Sequence, residues 1–413
     1  MSRILISNAR LIDPASGIDG THDILVDGRA IARVAPAGSI AGDARRIDGR
    51  GLVAAPGLVD AGVFRSEPAA FLAGGITRVM LMPDQSPVID DPALAERAQR
   101  IGKPHVWVHP LAAATRGLAG EELAEIGLMK AAGAVAVATG RAQIASSAVM
   151  YRLLHYAAAF DLVTVTHAED SALAAGADAT TGETATRLGL SGAPAIAEAI
   201  AISRDVRLAE AAGARIHIHQ VSTAEGIDVI RGARARGVRV TCGVSPAHLL
   251  LNDEATTGYR SFARLSPPLR TEADRRALVA AFAAGEIDCL TSAHDPRTQD
   301  EKRLPFGHAT AGMSGAETLL ALGLSVAAGS DMALPRLIAA MTSAPASIFG
   351  VPGGTLAEGA PADIVLFDAG APWRIDASVF VSDGVNTPFD TMPVQGRVAL
   401  TIKGGEITFE KKN

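Results

Sequence analysis

Cysteine, aromatic residues and long apolar runs are all scarce in this chain. Cys242 and Cys289 are the only cysteines among 413 residues, too few for a disulfide framework, which points to a reducing, cytoplasmic setting. Aromatic residues make up 4%, so no stacking surface for bases is expected. No apolar stretch reaches the ~18 uncharged residues of a membrane span. The start, Met1-Ser2-Arg3-Ile4-Leu5-Ile6, reads as a short strand and lacks the apolar core of a signal peptide. Positive charge is not concentrated anywhere, and the net charge is −6. Nucleic acid, which calls for a basic patch, is therefore not an expected partner.

What the chain does contain is alternation. Eight short apolar segments read as strands: Leu58–Gly62, Thr77–Met82, Val106–Leu111, Ala134–Ala138, Val163–His167, Ile216–Gln220, Arg239–Cys242 and Cys289–Ala293. Helical patterns fall between or after them, over Gly120–Ala132, Ser146–Phe160, Pro194–Ala212, Ala224–Gly237, Glu272–Ala284 and Gly315–Ala328. Strands alternating with helices imply right-handed βαβ units, and eight of them fit a closed (β/α)8 TIM-type barrel over residues 55–350. Only Ser66–Ala73 separates the first two strands, so the first helix should be short or absent. Both ends are β-rich: Ile4–Ser7, Asp23–Val26 and Ile31–Val34 in residues 1–54, and Asp363–Phe367, Val394–Lys403 and Glu406–Phe409 in residues 351–413. The two ends should pair into one small composite β-sandwich.

Several runs, taken together and in order, carry a resemblance. They are Pro56-Gly57-Leu58-Val59-Asp60, Gly74-Gly75-Ile76-Thr77, Thr166-His167-Ala168-Glu169-Asp170, Gln220-Val221-Ser222-Thr223, Ser266-Pro267-Pro268-Leu269-Arg270, and the stretches Ala357–Asp368 and Asn386–Gly405. The chain resembles the dihydroorotases of the amidohydrolase superfamily, most of all their non-catalytic relatives. That resemblance implies a barrel with one or two zinc ions at its mouth. The metal polarises an amide carbonyl and activates water, and an aspartate moves the proton. The reaction implied is reversible ring closure of carbamoyl aspartate to dihydroorotate.

Position by position, the implied zinc ligands are missing. The two histidines after the first strand correspond to Gly62 and Phe64, and neither side chain offers a ligating nitrogen. The fourth-strand carboxylate or modified lysine corresponds to Thr139, the sixth-strand histidine to Gln220, and the catalytic aspartate to Ala293. His167 alone is retained, and one ligand does not hold zinc. The substrate-gripping positions differ as well. The arginine position holds Ser66, with Arg65 one place early, and the two asparagine positions hold Asp84 and Ser266. No catalytic residue, metal or other cofactor is therefore expected.

Other residues invite sharper readings. His294 and Asp295 adjoin Ala293 at a strand end and, with His167, could form an improvised site. Cys242 and Cys289 lie on neighbouring strands, where a Cys/Cys/His site competes with their reading as small buried hydrophobes. His217 and His219 share one face of the sixth strand. With the implied ligand on the Gln220 face, both should point out toward the helices. Arg270 precedes Thr271, a plausible N-cap, and reads as a helix-start or surface residue.

Three functions fit. The leading one is a catalytically inactive dihydroorotase-like protein of pyrimidine biosynthesis. The resemblance implies that it assembles with aspartate carbamoyltransferase catalytic chains in a homo- or hetero-oligomer. The second is an active cyclic-amide hydrolase that uses zinc through rebuilt ligands. The third is a small-molecule binding protein using the vacated mouth, with Arg65, Arg297 and His294 as anion contacts.

Overall fold

The computed structural model describes residues 3–411; Met1 and Ser2 of the N-terminal strand pattern lie outside the described residues. Eight parallel strands follow one another around a barrel in chain order: Leu58–Val63, Ile76–Leu81, Trp107–Ala113, Ala136–Ala138, Val163–Thr166, Arg215–Ile218, Val240–Val244 and Cys289–Leu290. Each overlaps its sequence expectation. Inward-facing Val59, Ala61, Met80, Leu111, Ala136, Val163, Val165 and Cys289 fill the barrel. Their neighbours of opposite parity, such as Ile216 and Ile218, pack outward in the layer shared with the helices.

Helices Ser147–Ala159, Ile196–Ala212, Ala224–Ala235 and Glu272–Ala284 fall inside the expected ranges. Side-chain caps start three of them. Ser146 accepts from Val149 N–H, Thr223 from Gly226 N–H, and Thr271 from Asp274 N–H. The helix after the first strand is short, Pro68–Ala73. The span expected over Gly120–Ala132 is helical only at Ile126–Ala131, because Leu123 bridges Thr115 and the residues around it pair back with Ala114 and Arg116. The span over Gly315–Ala328 begins with a single 3-10 turn, Ala316–Thr318, before Leu319–Gly329. Helix Pro92–Ile101 escaped the periodicity reading, although Asp91 caps it through Ala93 N–H and Pro92 opens it.

The chain ends meet in one eight-stranded sheet. Glu406–Glu410, Pro393–Lys403 and Ile364–Arg374 pair on through Val53–Pro56 to Ile4–Asp13, Ile18–Asp27 and Ala30–Pro36, and Arg45–Asp48 pairs beside Ile4–Asp13. Ile4, Ile6, Ile24, Val26, Ile31, Ile364, Leu366 and Ile402 share a single core. The expected composite unit is thus a continuous sheet wrapped around its own apolar face. Among the described residues, no helix is long and apolar enough to cross a membrane.

The barrel closes through a side chain. Asp60, on the first strand, is fully buried. Its carboxylate accepts from Thr291 Oγ1 at 2.7 Å, from Ser292 N–H at 3.1 Å, and from the Ser292 hydroxyl. Phe64 N–H donates to His294 O at 2.9 Å above it. One carboxylate therefore stitches the eighth strand to the first. Asp60→Ala leaves the Ser292 N–H and hydroxyl unpaired, while the Thr291 hydroxyl keeps Gly62 O at 3.3 Å, and a loss of about 3 kcal/mol is expected. Asp60→Asn, which keeps one acceptor, should lose less. Urea denaturation of both variants measures the difference, and equal midpoints for wild type and Asp60→Ala would contradict the seam.

Candidate functional site: the barrel mouth

Sites of such barrels lie at the C-terminal ends of the strands. Here that region is filled by the protein's own side chains. Gly62 lies one residue before the end of the first strand, where a Cβ would fall 2.3 Å from His219 Cε1. The His219 ring thus takes the space that a side chain at position 62 would need. It meets Phe64 edge-on, with ring centroids 5.9 Å apart. Over the Phe64 ring lies the Arg141 guanidinium, 3.8 Å from its centroid. Arg141 Nη1 donates to Asp295 Oδ2 at 2.5 Å, and Arg297 Nη2 reaches the same oxygen at 2.8 Å. The Arg141 backbone N–H donates to Asp84 Oδ1 at 3.0 Å. Glycine, imidazole, phenyl ring, guanidinium and carboxylate form one continuous plug. Its cation sits on a π face with about a third of its side chain still exposed, so the contact is of the modest, partly solvated kind.

Zinc does not fit the residues present. Gly62, Phe64 and Ala293 offer no ligating atom. The Thr139 hydroxyl is engaged, accepting from His167 N–H at 3.1 Å. Gln220 is buried with its side-chain oxygen unpaired. His167 Nε2 lies 3.7 Å from Glu169 Oε2. Among the described residues, no three His, Cys, Asp or Glu side chains converge as a metal site.

The improvised His167/His294/Asp295 site is not assembled. His294 is fully buried, with Nε2 3.1 Å from Glu67 Oε2 and Nδ1 accepting from Ala316 N–H. Asp295 is held by Arg141 and Arg297. The three anion contacts expected of a binding mouth do not converge either. Arg65 is exposed, Arg297 is committed to Asp295 and to Ala311 O, and His294 faces Glu67. Ser266 is exposed on the rim of the mouth.

The histidine pair of the sixth strand faces the opposite way from the expectation. Ile216 and Ile218 pack outward among the helices, while His217 and His219 point into the barrel. His217 Nδ1 lies 2.9 Å from Thr241 Oγ1, and its ring packs against Phe349. The ladder ends at Ile218, so alternation does not carry through to Gln220. Cys289 faces the interior and Cys242 the helical layer, which separates the two thiols. Burial pushes the Cys242 thiol up to about 12. Arg270 is not at the surface. It is 2% exposed and bonds Glu169, Ser222 and Thr180, beside fully buried Glu198, which accepts from Ser222 and Thr223.

Sequence reasoning overlooked Arg141, two places beyond Thr139. Its signal was an arginine at a barrel-strand end opposite the aspartates at 84 and 295. The plug leaves a pit of about 20 Å³ under Arg141, lined by Phe64, Gln220, Ala293 and Asp295. Beside it runs a groove of about 300 Å³ past His167, Glu169 and Arg264. Arg264 is paired with Asp178 at 2.9 Å.

The dihydro-orotase-like family model matches residues 55–226, and an amidohydrolase family model matches residues 332–409. The dihydroorotase of Syntrophotalea carbinolica is 40% identical over 98% of this chain and 99% of its own length. The chain belongs to the dihydroorotase-like family. A dihydroorotase-like protein of Pseudomonas aeruginosa is also 40% identical, over 98% of this chain and 99% of its own. Among solved structures, the L-hydantoinase (dihydropyrimidinase) of Arthrobacter aurescens superposes with a TM-score of 0.88 at 26% identity, covering 100% of this chain and 97% of that one. The dihydropyrimidinase of Brevibacillus agri, at 20% identity and a TM-score of 0.84 over 99% of this chain and 95% of that one, shares the fold.

The plug makes Gly62 and His219 interdependent. Gly62→Ala should cost about 1–3 kcal/mol through overpacking. In a chain already carrying His219→Ala, the same substitution should cost much less. A double-mutant cycle by urea unfolding measures the coupling, and strictly additive changes would show that the two do not touch.

Buried imidazoles also give the fold a pH dependence. Burial, then the charges of His167 and Arg141, hold His219 down at about 3. Burial, then His219, holds His217 at about 3. Unfolded histidine titrates near ~6.5, so between the two values the unfolded chain binds more protons. Stability is then present above ~6.5 and lost as pH falls toward the folded values, by up to about 1.4 kcal/mol per pH unit per histidine. His219→Gln should reduce that slope by roughly one histidine's share. An unchanged slope from urea midpoints between about pH 7 and 5 would mean that His219 protonates freely in the fold.

Proposed function

We propose that this chain is a catalytically inactive, dihydroorotase-like protein of pyrimidine biosynthesis that acts as a structural partner of aspartate carbamoyltransferase catalytic chains. One observation carries the first half. The place where a metal-dependent relative needs ligands holds the Gly62–His219–Phe64–Arg141–Asp295 plug. Water activation at neutral pH needs a group that lowers the pKa of water or a base poised to take its proton. Ala293 supplies no base. Asp295, the next carboxylate along, is bonded to two arginines.

The partner half rests on the family relationship, an associational warrant, together with the retained fold. A barrel that keeps its seam, its sheet and its helix caps keeps its surface, and a scaffold needs only a surface. A stable interface buries at least about 1,000 Å², and the plug does not compete with that use. An active hydrolase with rebuilt ligands has little support here, since the improvised set points in separate directions.

Two measurements test the reading. Protein purified in zinc-supplemented, chelator-free buffer should hold well under one equivalent of zinc and turn over dihydroorotate no faster than buffer. Restoring one ligand, as in Phe64→His or Ala293→Asp, should not change that, because catalytic groups acting as a unit are strongly non-additive. Chelator-sensitive turnover would overturn the inactive reading. Co-expression with the source organism's aspartate carbamoyltransferase, followed by size-exclusion with light scattering, should give a mixed complex that survives chelator. Separate elution at low and moderate salt, with transcarbamoylase activity unchanged by this chain, would overturn the partner reading.

A further inference from the structure

A second charged cavity lies at the opposite end of the barrel from the mouth. It has a volume of about 330 Å³, opens where the third strand begins at Trp107, and is bounded by the terminal sheet. Three cations line it, Arg29, Lys103 and Lys403, against one carboxylate, Glu406. Among the described residues, none of these three cations has a carboxylate within 4.0 Å. Arg29 and Lys103 are exposed, whereas Lys403 is 9% exposed.

The framework around them is fixed. Gly405 folds so close to the Gly28 turn that a Cβ would fall 1.8 Å from Gly28 O. Ala362 N–H donates to Arg29 O at 2.9 Å, which ties down the turn carrying Arg29. Lys403 Nζ donates to Pro104 O at 2.6 Å and lies 3.6 Å from the Trp107 ring centroid. An ammonium has three donors, so Lys403 keeps N–H capacity beyond that one carbonyl. The nearby carboxylate of Asp363 is already taken by Arg78 at 2.7 Å, Trp107 Nε1 at 3.1 Å and Gly404 N–H at 2.8 Å. Burial lowers the pKa of Lys403; Asp363 and, more weakly, Glu406 oppose this, and Arg29 and Arg78 add to it. Like charges gathered around a buried lysine are a standing cost that a bound anion would remove.

We infer that this cavity is an oxyanion site for a small phosphoryl ligand, gripped by Lys403 from the floor and by Arg29 and Lys103 from the rim. Phosphate oxygens suit it because they accept several charge-assisted hydrogen bonds at once. The Trp107 ring already carries Lys403 on its π face, and Arg78 lies 5.2 Å from its centroid. The site therefore reads phosphoryl groups rather than a stacked base. It is independent of the mouth and of the role proposed for the chain.

Calorimetric titration of the full chain with inorganic pyrophosphate, at about physiological ionic strength to screen diffuse attraction, tests this. One saturable site per chain is expected, with sulfate at matched ionic strength binding more weakly. The double variant Arg29→Ala/Lys103→Ala alters only exposed side chains, and circular dichroism verifies its fold. It should bind about tenfold more weakly or worse. Glu406→Gln, which removes the one carboxylate facing the cavity, should bind more tightly. A nucleoside triphosphate run alongside identifies the source. Equal, variant-sensitive binding of both means that phosphoryl groups suffice, and variant-sensitive binding of the triphosphate alone means that they arrive on a nucleotide. No saturable binding of either, or affinities that the double variant leaves unchanged, overturns the site.

Discussion

The arginine lying on Phe64 sets the character of the barrel mouth. Arg141 is tied by its backbone to Asp84, by its side chain to Asp295, and by its π contact to Phe64, whose ring in turn bears on His219. Two carboxylates at a barrel mouth need compensation, since a buried charge without a partner is strongly unfavourable. In the metal-dependent barrel that the sequence resemblance implies, that cation would be a zinc ion. Here it is a guanidinium, covalently part of the chain and always charged. The guanidinium supplies the positive charge those carboxylates face, while Asp84 Oδ2 and Asp295 Oδ1 remain without a hydrogen-bond partner. Such a pair contributes little net stability against an apolar alternative, but removing one member is costly, which ties Asp84, Asp295 and Arg141 to one another.

The same logic explains the neutral imidazoles. His219 sits behind a cation, fully buried, with neither ring nitrogen bonded. Protonating it would place a second positive charge beside Arg141. Burial and that neighbour hold it neutral, so it acts as a flat, polarisable filler against Phe64. Gly62 completes the arrangement by providing the space. Each member of the plug is explicable only through the others, and the set behaves as one packed object rather than as a site with missing parts.

The barrel was legible because its strands are short apolar runs at regular intervals, and such runs report burial on both faces. The same property hid which face was which. In Arg215–Ile218, isoleucine and histidine alternate, and both faces are buried. Parity counted back from Gln220 reverses the two histidines, because the chain has left the ladder after Ile218. The vacated ligand positions were readable directly, because Gly62, Phe64 and Ala293 lack suitable atoms whatever their geometry. What replaced them was not readable. Arg141, Phe64 and Asp295 are far apart in sequence, and nothing in their spacing says that they touch. Arg270 illustrates the converse: its position before a helix cap suggested the surface, and only the fold places it among Glu169, Glu198 and Ser222.

A plugged mouth also changes what the rest of the molecule is required to do. A catalytic barrel needs mobile loops over its mouth to admit substrate and exclude water. On the proposed reading there is no substrate to enclose, and the pit under Arg141 holds about 20 Å³, roughly one water molecule. The loops after the strands are instead cross-tied. Glu67 joins His294 to Ser382, Ser314 donates to Gly384 O, and Asn386 Oδ1 accepts from Arg297 N–H. These contacts bind the segment after the terminal sheet's Ile364–Arg374 strand to the first and eighth barrel strands. Rigidity of that kind costs a catalyst part of its working motion, but it suits a surface that must present the same shape each time, since an interface loses affinity for every side chain and loop that has to be ordered on docking. The interactions that close this mouth and those that would serve a scaffold are thus the same interactions.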